Sequence, residues 1–202
     1  RGSLHAPGVV RAVRGDGTAE DVAADTVIVA TGSRPAQLPG IAADGERVLT
    51  SDDAVRLARI PESLLIVGAG VIGAEFAFIY RAFGAAVTLV EMLPRALATE
   101  DEEISIIVER EMRKAKIGLV TGARIEALRE GADGTLTAAL STGEEIRAAQ
   151  VLVSVGRNLN SEGIGLEAAG VETGRCGEIL VDDRMQTSRP GIYAIGDVTG
   201  KM

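Results

Sequence analysis

The sequence of 202 residues predicts an α/β fold in three layers, a parallel sheet combined with an antiparallel β-meander. The first observation is a β-α-β pattern: apolar runs at 64–67 and 86–90 flank a helical stretch from Val71 to Phe83, which Gly84 can end. The second is a series of short β-like runs separated by glycine-containing turns, at 124–129, 136–140 and 145–147. A hydrophobic content of 46% supports a substantial core for such a fold.

The elements before the β-α-β pattern start with an apolar strand over 25–30, which runs into a turn at Gly32. Two prolines and a glycine over residues 35–40 then mark a connector. A short helix is predicted over 52–58, with Ser51 as its N-cap.

The elements after the β-α-β pattern start with a second long helix. Thr99 and Glu102 have the spacing of a capping box, and the helix extends to about Ala115, with acidic residues at its start and basic residues at its end. A strand over 150–155 returns the chain to the edge of the sheet where parallel strands place ligands. The last predicted strand, 191–195, ends in a Gly-Asp pair.

The segment from Gly68 to Gly73 follows an apolar strand and opens a helix, which is the context of a G-x-G-x-x-G dinucleotide-binding motif. Gly68 permits the tight turn, Gly70 lets the backbone approach a pyrophosphate, and Gly73 lets the helix and strand pack closely. The start of the helix at Val71 and Ile72 then presents its amides and dipole to the phosphates.

Glu91 ends the strand after that helix, 18 residues beyond Gly73. A carboxylate at this position accepts hydrogen bonds from the adenine ribose hydroxyls and repels a 2′-phosphate, so the sequence favours NAD over NADP. On this reasoning alone, Glu91→Arg is expected to weaken NAD binding and improve NADP binding.

Composition argues against several classes of function. A formal net charge of -8 disfavours nucleic-acid and anionic-membrane partners, and the absence of Trp, with only two Tyr and three Phe, argues against base-stacking platforms. No run approaches the ~18–20 apolar residues of a membrane span, and no basic, apolar leader is recognisable, so a cytoplasmic protein is expected. Cys176 and His5 are single residues of their types, to which no functional role is assigned, and no metal site is predicted.

Several motifs in a fixed order resemble one family: Ala30-Thr31-Gly32, the glycine motif followed by Glu75, Glu91-Met92-Leu93-Pro94-Arg95, Gly156-Arg157, and the run from Pro190 to Asp197. Together they resemble the flavoprotein disulfide reductases, the class I pyridine nucleotide-disulfide oxidoreductases. Within that family they are most similar to the dihydrolipoamide dehydrogenases. The resemblance covers nearly the whole chain and implies a Rossmann-like FAD/NAD(P)-binding fold.

The resemblance also implies a division into domains. Residues 1–42 would be the second segment of an FAD-binding domain, residues 43–157 an NAD-binding domain, and residues 158–202 the last segment of the FAD-binding domain.

The resemblance assigns further residues to two cofactors. Gly156 would line the nicotinamide pocket, and Glu75 would reach toward the nicotinamide and the flavin. The FAD site would include the backbone of Ala30, Thr31 and Gly32, the amides near Gly196, and the carboxylate of Asp197 on the ribityl chain.

Such enzymes also carry an N-terminal FAD segment with a redox-active cysteine pair and a C-terminal dimerisation domain with a His-Glu pair, which this sequence lacks. The expectation is therefore an internal fragment, without catalytic residues of its own, of an enzyme that oxidises dihydrolipoamide and transfers hydride through FAD to NAD. When intact, such an enzyme would be a homodimer that serves the lipoyl domains of 2-oxo acid dehydrogenase complexes. Alone, the chain is expected to bind NAD or NADH weakly and FAD poorly.

Two alternatives remain open. Mercuric reductases and NADH oxidases share the NAD and FAD motifs and differ mainly in other segments. A free-standing, non-catalytic NAD-binding module is the other alternative, although it would not need the FAD-type ending at Gly196 and Asp197.

Overall fold

The computed structural model describes residues 1–6 and 8–201. In chain order its strands and helices are β1 (Gly2–Ala6), β2 (Val9–Val13), β3 (Ala19–Ala23), β4 (Val27–Val29), β5 (Ser33–Pro35), β6 (Val48–Leu49), α1 (Ser51–Ala54), β7 (Ser63–Val67), α2 (Val71–Ala82), β8 (Ala86–Val90), α3 (Glu102–Lys114), β9 (Gly118–Val120), β10 (Ile125–Glu130), β11 (Leu136–Leu140), β12 (Glu145–Ala148), β13 (Gln150–Val153), β14 (Arg157–Leu159) and β15 (Ile192–Ala194). A 3-10 helix at Asp197–Thr199 follows β15.

The chain divides into two compact units. Unit 1 comprises Arg1–Arg34 and Arg157–Met202, and unit 2 comprises Pro35–Gly156. Unit 2 therefore lies between the two segments of unit 1 along the chain.

Unit 2 is built on a five-stranded sheet in the order β6-β13-β7-β8-β9, and all of its neighbouring strands are parallel. Successive side chains of a strand point to opposite faces. On one face Leu64 and Ile66 pack in a core with Ala77 and Tyr80 of α2 and Met112 of α3.

The opposite face of the same sheet packs against the meander. There Leu65 and Val67 of β7 share a core with Leu136, Ala138 and Leu140 of β11. The meander runs β10-β11-β12 with antiparallel neighbours. Helices, parallel sheet and meander thus form the three layers that the sequence predicts.

Unit 1 contains an antiparallel sheet, β1-β2-β3, the parallel pair β15-β4 and the pair β14-β5. Its core includes Leu4, Val29, Ile179 and Ile192. The sequence pattern does not predict the β1-β2-β3 sheet, because β3 is exposed along its whole length and carries no buried alternation.

Both predicted helix starts that rest on capping residues need correction. Thr50 rather than Ser51 is the N-cap of α1, since its backbone and hydroxyl both bond to Asp53 Oδ2, and the helix ends at Ala54. The Thr99–Glu102 capping box does not form. A turn from Leu97 to Glu100 separates Thr99 from the helix, which begins after Asp101.

The predicted end of α2 is confirmed, because the helix stops at Ala82 and Gly84 has a φ of 100°. Among the described residues no helix has the length and apolar character needed to cross a membrane.

Candidate functional site

A cavity of about 730 Å³ lies in unit 2 at the carboxyl ends of β7, β8 and β13. Parallel neighbours place these ends at one edge of the sheet, so the residues after each strand meet there. Small-molecule sites have volumes of roughly 300–1,000 Å³. The cavity is lined by Leu38, Pro39, Val67, Gly68, Gly70, Val71, Ile72, Val90, Glu91, Met92, Leu93, Ala98, Thr99, Ala123, Arg124, Ile125, Ser154, Val155 and Gly156.

Most of the residues predicted to contact NAD line this cavity, namely Gly68, Gly70, Val71, Ile72, Glu91 and Gly156. Gly73 is buried just behind the lining, and Glu75 is exposed on α2 outside it. The N-terminus of α2 opens onto the cavity, because its N-cap Gly70 and its first two residues are all lining residues. The site therefore combines a helix N-terminus with a largely apolar wall.

The three glycines of the motif differ in the space around them. An ideal Cβ at Gly73 would lie 2.0 Å from the carbonyl oxygen of Gly68, and one at Gly68, where φ is 98°, would lie 2.5 Å from the carbonyl oxygen of Ser154. A Cβ at Gly70 would meet no atom within 4 Å. Gly68 and Gly73 are thus required by packing, whereas the absence of a side chain at Gly70 leaves open space beside the backbone.

Glu91 is buried, with 9% of its surface exposed, and its carboxylate bonds to the backbone. Oε2 accepts a hydrogen bond of 2.7 Å from the amide of Ala69, and Oε1 accepts one of 2.9 Å from the amide of Leu93. Each carboxylate oxygen can accept a further hydrogen bond. Glu91 therefore holds the glycine-rich turn and also retains acceptor capacity at the cavity.

Ser154 and Arg124 line the cavity but are not predicted from the sequence. Ser154 directly follows β13, and its hydroxyl lies 3.0 Å from the carbonyl oxygens of both Val67 and Gly68. The rule that ligands bind at the carboxyl ends of parallel strands could have found Ser154. Arg124 precedes the meander, where no local pattern distinguishes it from other exposed arginines.

The residues assigned to FAD lie together in unit 1. Because β4 and β15 are parallel neighbours, the residues that follow them, Ala30-Thr31-Gly32 and Gly196-Asp197, come to the same edge. Gly32 and Gly196 have φ values of 65° and 74°, and an ideal Cβ at either would meet no atom within 4 Å.

Side chains organise this edge of unit 1. Asp197 Oδ2 accepts a hydrogen bond of 2.5 Å from the hydroxyl of Ser33, which itself accepts one of 2.6 Å from Arg157 Nε. Arg157 Nε lies 3.8 Å from Asp197 Oδ2. Asn160 donates to the carbonyl oxygen of Thr31. Ser33, Arg157 and Asp197 are called the Asp197 cluster below.

Cys176 and His5 are both exposed, and neither contributes to the cavity in unit 2. Among the described residues no group of three or more His, Cys, Asp or Glu side chains is arranged to hold a metal ion.

Comparisons with known proteins cover almost the whole chain. The model of the family described as pyridine nucleotide-disulphide oxidoreductase matches residues 5–202. The dihydrolipoyl dehydrogenase of Bacillus subtilis is 43% identical over 199 residues, which are 96% of this chain and 42% of that protein. The chain thus spans less than half the length of this relative.

Solved structures are similar over the same extent. The crystal structure of LpdA from Mycobacterium tuberculosis matches with a TM-score of 0.90 and 33% identity, covering 100% of this chain and 45% of the other. An NAD-dependent persulfide reductase from A. fulgidus matches with a TM-score of 0.81 and 33% identity, covering 95% of this chain and 36% of the other.

Proposed function

The chain belongs to the pyridine nucleotide-disulphide oxidoreductase family, and from this premise we propose that unit 2 binds NAD(H) in the cavity beside Gly70. The predicted family and Rossmann-like fold are confirmed by the family match and by the structural similarity to LpdA. The observation that carries the proposal is the open space at Gly70, at the N-terminus of α2 and on the same cavity as Glu91.

The residues of the cavity fit a dinucleotide in distinct ways. Gly70, Val71 and Ile72 would present backbone amides to the pyrophosphate, favoured by the dipole of α2. Glu91 would accept hydrogen bonds from the adenine ribose through the acceptor capacity left on its two oxygens. Gly156 would lie along the nicotinamide half. When bound, NAD would accept a hydride on its nicotinamide ring, and NADH would donate one.

Glu75 and the unit 1 residues extend the proposal to FAD. Gly32 and Gly196 leave open space beside the backbone, and the side chain of Asp197 is 61% exposed, so a ribityl hydroxyl could reach its carboxylate. Ala30 and Thr31 would contribute backbone at the same edge. The side chain of Glu75, which is exposed on α2, would reach toward the nicotinamide and the flavin.

The whole protein is proposed to be a dihydrolipoyl dehydrogenase, an FAD-dependent oxidoreductase of the cytoplasm that transfers electrons from dihydrolipoamide to NAD. This rests on relatives such as that of Bacillus subtilis. The same proposal includes a homodimer, lipoyl domains of 2-oxo acid dehydrogenase complexes as partners, and residues 43–157 as the NAD-binding domain. Within it, the present chain would contribute the NAD site and part of the FAD site.

The test is a calorimetric titration of the chain with NADH, NADPH and FAD in parallel. We expect saturable NADH binding and little response to NADPH or FAD. Gly70→Val is the matched variant, because Gly70 has φ -70° and free space, so the fold accommodates valine while the added methyl groups fill the path of the pyrophosphate. We expect it to weaken NADH binding at least about tenfold, with thermal unfolding unchanged. Equal NADH affinity in both proteins would contradict the proposed site.

A second candidate function is that of another NAD-dependent flavoprotein of the family, which the similarity to the A. fulgidus persulfide reductase supports. Both functions need the same NAD cavity, so the titration does not separate them. Assays of the longer protein would do so: oxidation of dihydrolipoamide reduces NAD, whereas reduction of a persulfide oxidises NADH, and only the true substrate supports turnover in its own direction.

A further inference from the structure

The peptide between Ala69 and Gly70 is fixed from outside the glycine-rich turn. The carbonyl oxygen of Ala69 accepts a hydrogen bond of 2.8 Å from the amide of Leu97. A trans peptide is planar, so the Gly70 N–H in the same peptide points away from Leu97. No described residue accepts a hydrogen bond from this N–H, and Gly70 lines the cavity. The bond from Leu97 therefore sets the direction of an amide that is free to bind a phosphate oxygen.

Leu97 makes this bond from a strained backbone conformation. Its φ is 50°, in the left-handed region that a leucine rarely adopts, and its side chain is buried, with 8% exposed. Such a conformation persists only where the surroundings determine it. Leu97 lies in residues 93–100, called the 93–100 loop, which connects Glu91 to α3 and contributes Leu93, Ala98 and Thr99 to the cavity.

Two side chains of α3 hold this loop by its backbone. The hydroxyl of Ser105 donates to the carbonyl oxygen of Leu97 at 3.2 Å, and Glu109 Oε1 accepts a hydrogen bond of 3.0 Å from the amide of Ala96. Ser105 and Glu109 are four residues apart, so they lie on one face of the helix. Ser105 is 1% exposed, and neither residue lines the cavity.

We propose that Ser105 and Glu109 are positioning residues of the dinucleotide site: they hold Leu97 so that its amide fixes the Ala69–Gly70 peptide toward the pyrophosphate. This inference rests on the proposed NAD(H) function. Helix α3 contributes no residue to the cavity. On this proposal it nevertheless controls the affinity of the site for the phosphate-bearing part of the ligand.

The experiment compares Ser105→Ala, Glu109→Ala and Glu109→Gln in the full chain, with Glu111→Ala as the control. Glu111 is on the same helix, but among the described residues its carboxylate accepts hydrogen bonds from Arg110 and Lys114 and from no residue of the 93–100 loop. The ligands are NADH, which has a pyrophosphate, and adenosine, which has none. Amide hydrogen exchange at Leu97, measured by NMR, reports on its bond to Ala69 directly.

We expect Ser105→Ala and Glu109→Ala each to weaken NADH binding about fivefold, the equivalent of about one net hydrogen bond, and to speed exchange of the Leu97 amide. Adenosine affinity should stay constant. Glu109→Gln keeps an acceptor oxygen and should restore most of the NADH affinity, and Glu111→Ala should match the wild type.

Each failure has its own meaning. Absence of NADH binding in the wild type would refute the proposed function itself. Binding by the wild type with unchanged affinity in both alanine variants would overturn the inference alone. Equal losses for NADH and adenosine would also overturn it, because they would indicate a general effect on the fold. If Glu109→Ala does not fold, Ser105→Ala decides, since the carbonyl oxygen of Leu97 then still accepts a hydrogen bond from the amide of Glu100.

Discussion

The glycine-rich turn of unit 2 and the Asp197 cluster of unit 1 are held by different kinds of contact. Backbone packing holds the turn: Gly73 contacts the carbonyl of Gly68, and Glu91 is buried with two amides on its carboxylate. Side chains that are partly or largely exposed hold the cluster, in which Ser33 joins Arg157 to Asp197. A site fixed by backbone tolerates little change, whereas one fixed by exposed side chains can lose a contact at small cost to the fold.

The supporting sheets differ in the same way. The turn in unit 2 follows the central strand of a five-stranded sheet that is covered on both faces. The cluster in unit 1 lies at the end of a two-stranded parallel sheet, where Ile28 is 60% exposed and Ile195 is 44% exposed. Parallel sheets are usually buried on both faces. We therefore expect the binding site of unit 2 to be preformed to a greater degree than that of unit 1. This difference supports the expectation that the chain binds NADH rather than FAD.

Gly73→Val would break the backbone packing of unit 2 and gives the largest expected effect. Its Cβ would lie 2.0 Å from the carbonyl oxygen of Gly68 and 2.8 Å from the hydroxyl of Ser154. Because a backbone oxygen cannot move aside, we expect a loss of about 3 kcal/mol or more in stability, measured by urea unfolding, together with loss of NADH binding. Gly70→Val is the control. A Gly73→Val protein as stable as this control would show that the turn is not tightly packed.

Glu91→Arg tests whether the turn depends on its buried carboxylate. The sequence alone predicts a change of preference toward NADP, but the structure shows that the substitution would also leave the amides of Ala69 and Leu93 without their acceptor. Hydrogen bonds to charged groups contribute roughly 1.5–3 kcal/mol each, so we expect lower stability and weaker binding of both NADH and NADPH. Parallel titrations and thermal unfolding measure this.

Glu91→Gln is the matched variant, since it keeps the size of the side chain and an acceptor oxygen. It should remain more stable than Glu91→Arg. NADPH binding that becomes tighter in Glu91→Arg than in the wild type would contradict a structural role for the carboxylate and would favour the simpler expectation from the sequence.

The contrast between the units also explains what the sequence could predict. The glycine spacing, the strand ends and Glu91 follow from short-range geometry, so the sequence predicts the edge of the sheet where the cavity lies and most of the residues proposed to bind NAD there. Ser33 and Arg157 are 124 residues apart, and no local pattern encodes their hydrogen bond. The strained φ of Leu97 and the bonds from Ser105 and Glu109 likewise depend on how α3 packs. The predicted Thr99–Glu102 capping box is wrong for the same reason, because the turn from Leu97 to Glu100 that displaces Thr99 from the helix is not evident from local spacing.

The two units can also be compared through the pH dependence of stability, because each has an aspartate in a turn, Asp44 in unit 2 and Asp182 in unit 1. Burial, which alone would raise the pKa of Asp44, is outweighed by hydrogen bonds from the amides of Arg47, Glu46 and Val48, so the pKa is lowered. In unit 1 the amides of Gln186 and Arg184 lower the pKa of Asp182. A lowered pKa stabilises the fold above the unfolded value of about 3.9, and this stabilisation is lost as pH falls through the folded value.

Asp44→Asn and Asp182→Asn should therefore be less stable than the wild type near pH 6, and the difference should be smaller near pH 3, because the stabilisation by each lowered pKa diminishes below the unfolded value of about 3.9. Urea unfolding at the two pH values measures the convergence. We expect the larger change in stability for Asp44→Asn. Asp44 accepts hydrogen bonds from three backbone amides, one of them that of Val48 in the five-stranded sheet, whereas Asp182 accepts hydrogen bonds from two. The reverse order would mean that the turns of unit 1 are held as firmly as the backbone of unit 2.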